Sequence, residues 1–560
     1  MRFGIHSGPV TAGVLRGQKT RFQLFGDTVN TASRMESTGE PDKIQCSQAT
    51  ANILMDIGKG NWLQAREDEV RAKGKGTLKT YWVLPKAHSS SAGSQTSDTE
   101  HHDHKDSSVH SGSAHGSLRK GDSMEVDAPN RRRLPAMSPH QQRLVGWTVE
   151  LLARLLRGVV AHRNRLAELS ALQCEPVYDV QHPKDDGNID ELVYKQKEAC
   201  LHPRDEYARS IPMPKFDPKA TKSLIDPETI VLGSEVEAQL RDFVTTIAGM
   251  YRSANPFHNY EHASHVAMSA NKLLKRIVQA DYCDRRNDTM DNIFSHLHDY
   301  TYGITSDPLL HFTCVLSAVI HDVDHPGVSN MQLAKEKDEM ALVYNNLSVA
   351  EQNSIDVAWE LLMDPAYDDL RNCIYQNEAE LDRFRKLLVN SVMATDIFDK
   401  DLMNMRNERW TKAFSKKQGD DEDVSDLKAT IVVEHIIQAS DVAHTMQHWH
   451  VYQKWNSRFF EEQYKAYLAG RVEKNPADGW YKGELWFYDN YIIPLAKKLK
   501  ECAVFGVASD EFLTYATDNR NEWAVKGESI VEELLAKVLK KQVKEAPQQT
   551  TISGVFSPVD

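Results

Sequence analysis

The chain has 560 residues, more than one compact domain accommodates, so two or three domains joined by linkers are expected. A formal net charge of −13 excludes general affinity for nucleic acid or anionic membrane, which are bound through excess Lys and Arg; a small anionic ligand would need a local positive site, such as bound metal. Seven scattered cysteines without a CxxC pair, no run of about 18 apolar residues and no signal-peptide pattern point to a soluble, cytoplasmic chain without a membrane segment.

Residues 1–86 begin with RFGIHSGPVTAGV, continue through FQLFGDTVNTASRMES and close on KGKGTLKTYWVL. Asn30 and Arg34 stand one helical turn apart in the middle stretch. These three ordered stretches resemble the C-terminal half of a class III nucleotidyl cyclase domain of the receptor guanylate cyclase type. The resemblance implies a partial α/β fold in which Asn30 and Arg34 stabilise a cyclising triphosphate and Lys73 or Lys75 meets its phosphates. Gln23 falls where that family selects its purine and matches neither usual residue. The family's two metal-binding aspartates lie upstream of the matched stretches, so this segment alone is not expected to cyclise anything. Either the sequence belongs to a longer fusion with membrane attachment upstream, or the segment pairs with an intact cyclase protomer.

Residues 87–139 read HSSSAGSQTSDTEHHDHKDSSVHSGSAHGSLRKGDS over most of their length. So few large apolar residues cannot build a core, and a disordered linker is expected. Within it HHDH, at 101–104, lacks anything to hold its ligands in fixed geometry. A helical connector follows over 140–204, with Val145, Val149, Leu152, Leu156 and Val159 in one stripe. The stripe packs against the next domain or, alternatively, dimerises as a coiled coil. From 205 to 541 long helical patterns dominate, among them VEAQLRDFVTTIAGMY, HASHVAMSANKLLKRIVQ and RFRKLLVNSVMATDIF, so an all-α domain is expected, followed by a flexible tail over 542–560.

That domain holds the chemistry. FHNYEHASHV places His258 and His262 at i and i+4, on one face if helical. An apolar run, LLHFTCVLSAVI, delivers His321 and Asp322 in HDVDHPGVSN, and IIQASDVAHTMQHW places Asp441 after another apolar turn. Imidazole and carboxylate suit Zn²⁺, and a carboxylate also bridges to a harder Mg²⁺ or Mn²⁺. A histidine ending an apolar helix and an Asp before a Pro-Gly turn are equally at home as structural caps.

Taken together, the stretches over about 205–540 resemble the catalytic domain of class I cyclic-nucleotide phosphodiesterases, an all-α fold of the HD type. H-D-x2-H-x4-N is met by His321, Asp322, His325 and Asn330, and H-N-x-x-H by His258, Asn259 and His262. YNNLSVAEQ and MATDI supply Glu351 and Thr395. The resemblance implies two divalent metals per site, Zn²⁺ with Mg²⁺ or Mn²⁺, held by His262, His321, Asp322 and Asp441. It makes His258 the general acid for the 3′ leaving oxygen, and His325, Glu351 and Thr395 the groups that orient metal-bound waters. The product would be a nucleoside 5′-monophosphate.

The family's purine-reading glutamine stands ten residues before a proline and three before an aromatic clamp. In GELWFYDNYIIPL those positions hold Glu484 and Phe487. An ionised carboxylate only accepts hydrogen bonds, which favours guanine with its N1 and N2 donors, so cGMP is expected over cAMP. Smaller departures are Phe257 for tyrosine, His265 for an acidic or amide residue, and Asn353-Ser354 for a histidine pair. The competing readings are a catalytically weak cyclic-nucleotide sensor and a partner subunit of a cyclase; a homodimer is a further possible assembly.

Overall fold

The structure is a computed structural model. It describes residues 3–8, 11–15, 21–25, 27–40, 43–56, 59–66, 68, 70–72, 76–84, 137–173, 202–216, 226–277, 290–414, 422–505 and 510–545. The expected linker up to residue 136, Lys73, Lys75, residues 174–201 of the expected connector and 546–560 of the expected tail lie outside the described residues. The chain divides into two compact units, Met1–Glu125 and Val126–Asp560.

The first unit has strands β1 (Phe3–Ile5), β2 (Thr11–Leu15), β3 (Arg21–Phe25), β4 (Ile44–Ser47), β5 (Leu63–Ala65), β6 (Val70–Ala72), β7 (Gly76–Leu78) and β8 (Thr80–Val83), with helices α1 (Asp27–Ser37) and α2 (Gln48–Asp56). One sheet runs β1-β4-β8-β5, parallel between β1 and β4 and antiparallel elsewhere; β2 with β3 and β6 with β7 form hairpins. Helix α1 lies directly on β1 because Gly4 has no side chain: a Cβ there would stand 2.0 Å from the Glu36 backbone nitrogen. Gln45, fully buried beneath α1, donates to Thr38 Oγ1 (3.3 Å) and accepts from Arg66 (2.7 Å), so its polarity is compensated. Asn30 and Arg34 lie one turn apart on the exposed side of α1, and Gln23 sits in β3.

Among the described residues the second unit contains helices and no strand. They are α3 (Pro139–Gln173), α4 (Ser234–Met250), α5 (Tyr260–Leu274), α6 (Met290–Tyr300), α7 (Pro308–Ile320), α8 (Asn330–Glu336), α9 (Glu339–Val343), α10 (Val349–Leu362), α11 (Asp368–Ile374), α12 (Glu378–Met393), α13 (Lys400–Phe414), α14 (Glu422–Asp441), α15 (Trp449–Leu468), α16 (Trp480–Phe487), α17 (Ile493–Glu501) and α18 (Asp510–Glu545). A π turn, Tyr488–Ile492, links α16 to α17.

Helix α7 is the central post. It is apolar all round, as a helix surrounded by others must be, and packs against α3, α5, α12 and α14. Asp307 caps its first turn by accepting from the Leu310 N–H (3.1 Å), and Arg383 pairs with Asp307. The apolar stripe of α3 resolves its two sequence readings: Val145, Val149, Leu152, Leu156 and Val159 are buried against α4 and α7 of the same chain. The expected connector helix therefore shares the core of the second unit. Arg163 fastens it further, donating to the carbonyls of Cys373 and Ile374 and pairing with Glu380 at 3.1 Å.

Candidate active site

Three helices meet where the sequence placed its metal-type residues. Asn259 caps α5, its Oδ1 accepting from the N–H groups of Glu261 (2.9 Å) and His262 (3.3 Å), which sets His262 in the first turn with no exposure. The cap also corrects one expectation. His258 precedes Asn259 and so stands outside the helix, not on a shared helical face with His262. His321 ends α7, and Asp441 ends α14. The HDVDHPG turn after α7 needs two left-handed residues, Asp324 at φ 59° and Gly327 at φ 74°. Asn255 ties this turn to the segment before α5 by donating to the carbonyls of His325 (2.8 Å) and His258 (3.3 Å).

His262, His321, Asp322 and Asp441 converge on one point. His262 Nε2 lies 3.0 Å from Asp441 Oδ1 and 3.7 Å from Asp322 Oδ2; His321 Nε2 lies 3.1 Å from Asp322 Oδ2 and 3.4 Å from Asp441 Oδ1. His321 Nδ1 faces the Ala318 carbonyl at 3.0 Å, so Nδ1–H donates there and the Nε2 lone pair points into the cluster. That nitrogen is buried and forms no hydrogen bond. A lone pair facing two carboxylate oxygens at this range is the arrangement a divalent cation satisfies, and the N and O donor set suits Zn²⁺ and harder ions. The same field acts on a proton: burial opposes charge on His321, yet Asp322 and Asp441 outweigh it and hold its pKa well above the ordinary range. Burial likewise opposes ionisation of both aspartates, and the imidazoles beside them hold each carboxyl below its usual range.

A second group adjoins the first. His258 Nδ1–H donates to Glu462 Oε1, while Glu462 Oε2 accepts the backbone N–H groups of Phe257 (2.9 Å) and His258 (3.0 Å). Glu462 on α15 thus grips ring and backbone together and leaves Nε2 of His258 as its other proton site. Burial works against the imidazolium, but Glu462 outweighs it and lifts His258 to about 9. His325 stacks on His258 with centroids 3.8 Å apart; burial and that charged neighbour push it down to about 3. The Gly327 N–H donates to His325 Nδ1 at 3.1 Å, so the neutral ring carries its proton on Nε2. Glu462 is a residue that sequence reasoning missed.

Phe257 packs against His258 and His262, with centroids at 4.8 and 4.6 Å, and against Trp455 and Phe459, forming an apolar wall behind both groups. His265 packs at a tilt against Trp455 at 5.2 Å, and burial takes it down to about 4, which keeps it neutral. Glu351 is held by Asn330, whose Nδ2 donates to Glu351 Oε2 at 2.9 Å and also reaches Asp396 Oδ2 at 3.4 Å. Burial, reinforced by Asp396, pushes Glu351 up to about 8. Thr395 donates its hydroxyl to the Val392 carbonyl at 2.7 Å, so that proton is committed to its own helix end.

Glu484 and Phe487 lie on α16. Glu484 Oε2 accepts from the buried Tyr452 hydroxyl at 2.6 Å. Phe487 stacks on Tyr491 at 5.3 Å, and burial holds the Tyr491 phenol up.

Known proteins divide the chain in the same way. Residues 257–506 match the model of the 3′5′-cyclic nucleotide phosphodiesterase family, and residues 1–85 that of the adenylate and guanylate cyclase catalytic domain. The probable 3′,5′-cyclic-AMP phosphodiesterase pde-4 of Caenorhabditis elegans is 27% identical over 231 residues, 41% of this chain and 30% of that protein. Atrial natriuretic peptide receptor 2 of Anguilla japonica is 56% identical over 84 residues, 15% of this chain and 8% of the receptor. The chain thus spans less than a tenth of that receptor's length and under a third of that phosphodiesterase's. A crystal structure of the phosphodiesterase domain of Salpingoeca rosetta rhodopsin phosphodiesterase aligns with a TM-score of 0.41 at 20% identity, over 55% of this chain and 83% of that one. Among the described residues no helix is long and apolar enough to cross a membrane. The similarity to the 3′5′-cyclic nucleotide phosphodiesterase family thus covers residues 257–506, and that to the adenylate and guanylate cyclase catalytic domain covers residues 1–85.

Proposed function

We propose that the second unit hydrolyses 3′,5′-cyclic nucleotides to nucleoside 5′-monophosphates. The observation that carries this reading is the convergence of His262, His321, Asp322 and Asp441 beside a charged His258 backed by Glu462. Those four residues would hold Zn²⁺ with Mg²⁺ or Mn²⁺, and such ions, when bound, supply charge neutralisation and water activation at phosphorus. The chain's own groups do the rest. His258, whose Nδ1–H is committed to Glu462, holds its transferable proton on Nε2 and delivers it to the departing 3′ oxygen. Neutral His325 donates from Nε2, and its stacked ring fixes the plane of His258. Phe487, backed by Tyr491, offers a flat apolar surface to the purine, and Glu484 reads the purine edge with cGMP favoured. The free thiols Cys46, Cys314, Cys373 and Cys502 fit a reducing, cytoplasmic setting.

The test is release of 5′-GMP and 5′-AMP from the cyclic nucleotides by the purified full chain with Zn²⁺ and Mg²⁺. Turnover that His258→Ala reduces by roughly 10²- to 10⁴-fold supports the assignment. Binding of cyclic nucleotide without turnover would replace it by the sensor reading.

A further inference from the structure

The surroundings of Glu484 form a chain of hydrogen bonds that runs from Trp480 to the carboxyl. Trp480 Nε1–H, which can only donate, reaches Asn456 Oδ1 at 3.3 Å and so fixes which end of that amide is oxygen. The other end, Nδ2, donates to the Tyr452 oxygen at 3.3 Å. Tyr452 donates its own proton to Glu484 Oε2, 2.6 Å away. Tyr452 and Asn456 are 1% and 4% exposed, so water does not compete with this order. With Oε2 accepting from Tyr452, Oε1 is the carboxyl oxygen left to take a proton.

We propose that this relay makes Glu484 a proton-gated reader of the purine, so that one site moves from cAMP towards cGMP as pH rises. The inference rests on the reading of Glu484 as the purine contact. Ionised, Oε1 accepts from the N1–H and N2–H of guanine. Protonated, Oε1–H donates to N1 of adenine. Each state leaves the other purine with a mismatched polar pair, the kind of mismatch by which a hydrogen-bonding site rejects an analogue most strongly.

The carboxyl is poised for this. Burial raises its pKa against the pull of Tyr452 and Asn456, leaving it at about 7. The titratable groups facing it are Tyr452 on α15 and Tyr488 on the following π turn, both held well above the ordinary phenol range by burial and by Glu484 itself. Across the α18 interface the neighbours are Trp523, 5.7 Å from the Tyr452 ring, and Asn519, both neutral. Arg520 of α18 is occupied by Asp489 at 2.8 Å on the outer edge. Asp478, before α16, and Lys482 on it are exposed to solvent. Of the carboxyl and its two phenol neighbours, Glu484 alone changes charge near neutral pH.

The experiment is the ratio of kcat/KM for cGMP over cAMP with the full chain from pH 6 to 8.5, for the wild type, Glu484→Gln and Tyr452→Phe. The ratio cancels the titration of His258, which acts on both substrates alike. In the wild type it should rise by tenfold or more between pH 6 and 8, since each pH unit changes the ionised to protonated ratio about tenfold. In Glu484→Gln it should be flat. Tyr452→Phe removes a bond that favours the carboxylate, so the crossover should move to higher pH. A flat wild-type ratio together with an altered ratio in Glu484→Gln would overturn the gate and leave the purine contact standing. An unchanged ratio in Glu484→Gln would overturn both. The same ratio read from displacement of a fluorescent cyclic nucleotide makes the test independent of turnover.

Discussion

His258 and His325 lie ring on ring, with centroids 3.8 Å and planes 28° apart, yet they sit at opposite ends of the imidazole range. His258 is lifted to about 9 and His325 is lowered to about 3. Both are buried, so desolvation alone would push both down. The difference is Glu462, which accepts from His258 but not from His325. Once His258 is charged, its stacked neighbour stays neutral, and the pair divides into a proton donor and a fixed dipole.

Removing that counter-charge should therefore move a pH limb. An acid with a raised pKa is competent below that value and loses its proton as pH rises through it. Wild-type kcat should hold through neutral pH and decline on the alkaline side, above the ordinary imidazole value of about 6.5. In Glu462→Gln the imidazolium loses its partner, and the alkaline limb should shift down by at least one unit while KM changes little. A pH-rate profile of both proteins checks this. An unmoved limb would mean that Glu462 does no more than brace the loop.

The metal assignment makes a prediction of its own. Chelation should abolish hydrolysis, and Zn²⁺ with Mg²⁺ should restore it. Ions that bind only the folded chain at a thousandfold excess over Kd add about 4 kcal/mol to stability, so chelation should also lower Tm. Asp441 stands 3.0 Å from His262 and 3.4 Å from His321, so Asp441→Asn takes charge from both imidazoles at once. Elemental analysis should find at least one equivalent of metal fewer in that variant.

The legible parts of the site were those whose residue types are costly to place in a core without a purpose. His262, His321 and Asp441 each follow or begin an apolar helix, where an unpaired polar group is penalised. Glu462 was illegible because it stands beside Glu461 in a helix that reads as amphipathic. Glu461 pairs with Lys541 at 2.6 Å near the surface, while Glu462 points inward with 3% side-chain exposure. Adjacent acids on one helix carry no local sign of which faces the core. The one-face reading of His258 and His262 failed because Asn259 serves as a cap, which starts the helix one residue after it. The stripe on α3 was visible, but periodicity reports only which face is apolar and not what covers it. The relay from Trp480 through Asn456 and Tyr452 to Glu484 spans two helices, so no spacing rule along the chain exposes it.

Gly327 offers a sharper probe of the turn that carries His321 and Asp322 than a substitution of either residue does. Its φ of 74° is costly for any side chain, and a Cβ there would stand 2.9 Å from Asn255 Oδ1. Gly327→Ala should cost about 1–2 kcal/mol from backbone strain alone. It should also push Asn255 off the carbonyls of His325 and His258, so kcat should fall more than KM rises. Metal content should stay near wild type, because none of the four converging residues is replaced. A stable variant with wild-type kcat would show that the Asn255 clasp does not set the His258 and His325 geometry.

Helix α3 supplies the last test, because its place in the core separates two readings of the same stripe. Leu152 and Leu156 are both without exposure, packed in the cluster that holds α4 and α7. Helix α7 ends at His321, so whatever loosens its packing also loosens a candidate ligand. Leu152→Ala and Leu156→Ala should each cost about 2–5 kcal/mol, the range for emptying a well-packed leucine site. Urea unfolding of the second unit, followed by tryptophan fluorescence, should show a lower midpoint with little change in slope. Were the stripe a dimer seam, the substitutions would instead make the midpoint depend on protein concentration and shift the mass seen in sedimentation. A midpoint that falls and stays independent of concentration places α3 inside the folding unit that carries the site.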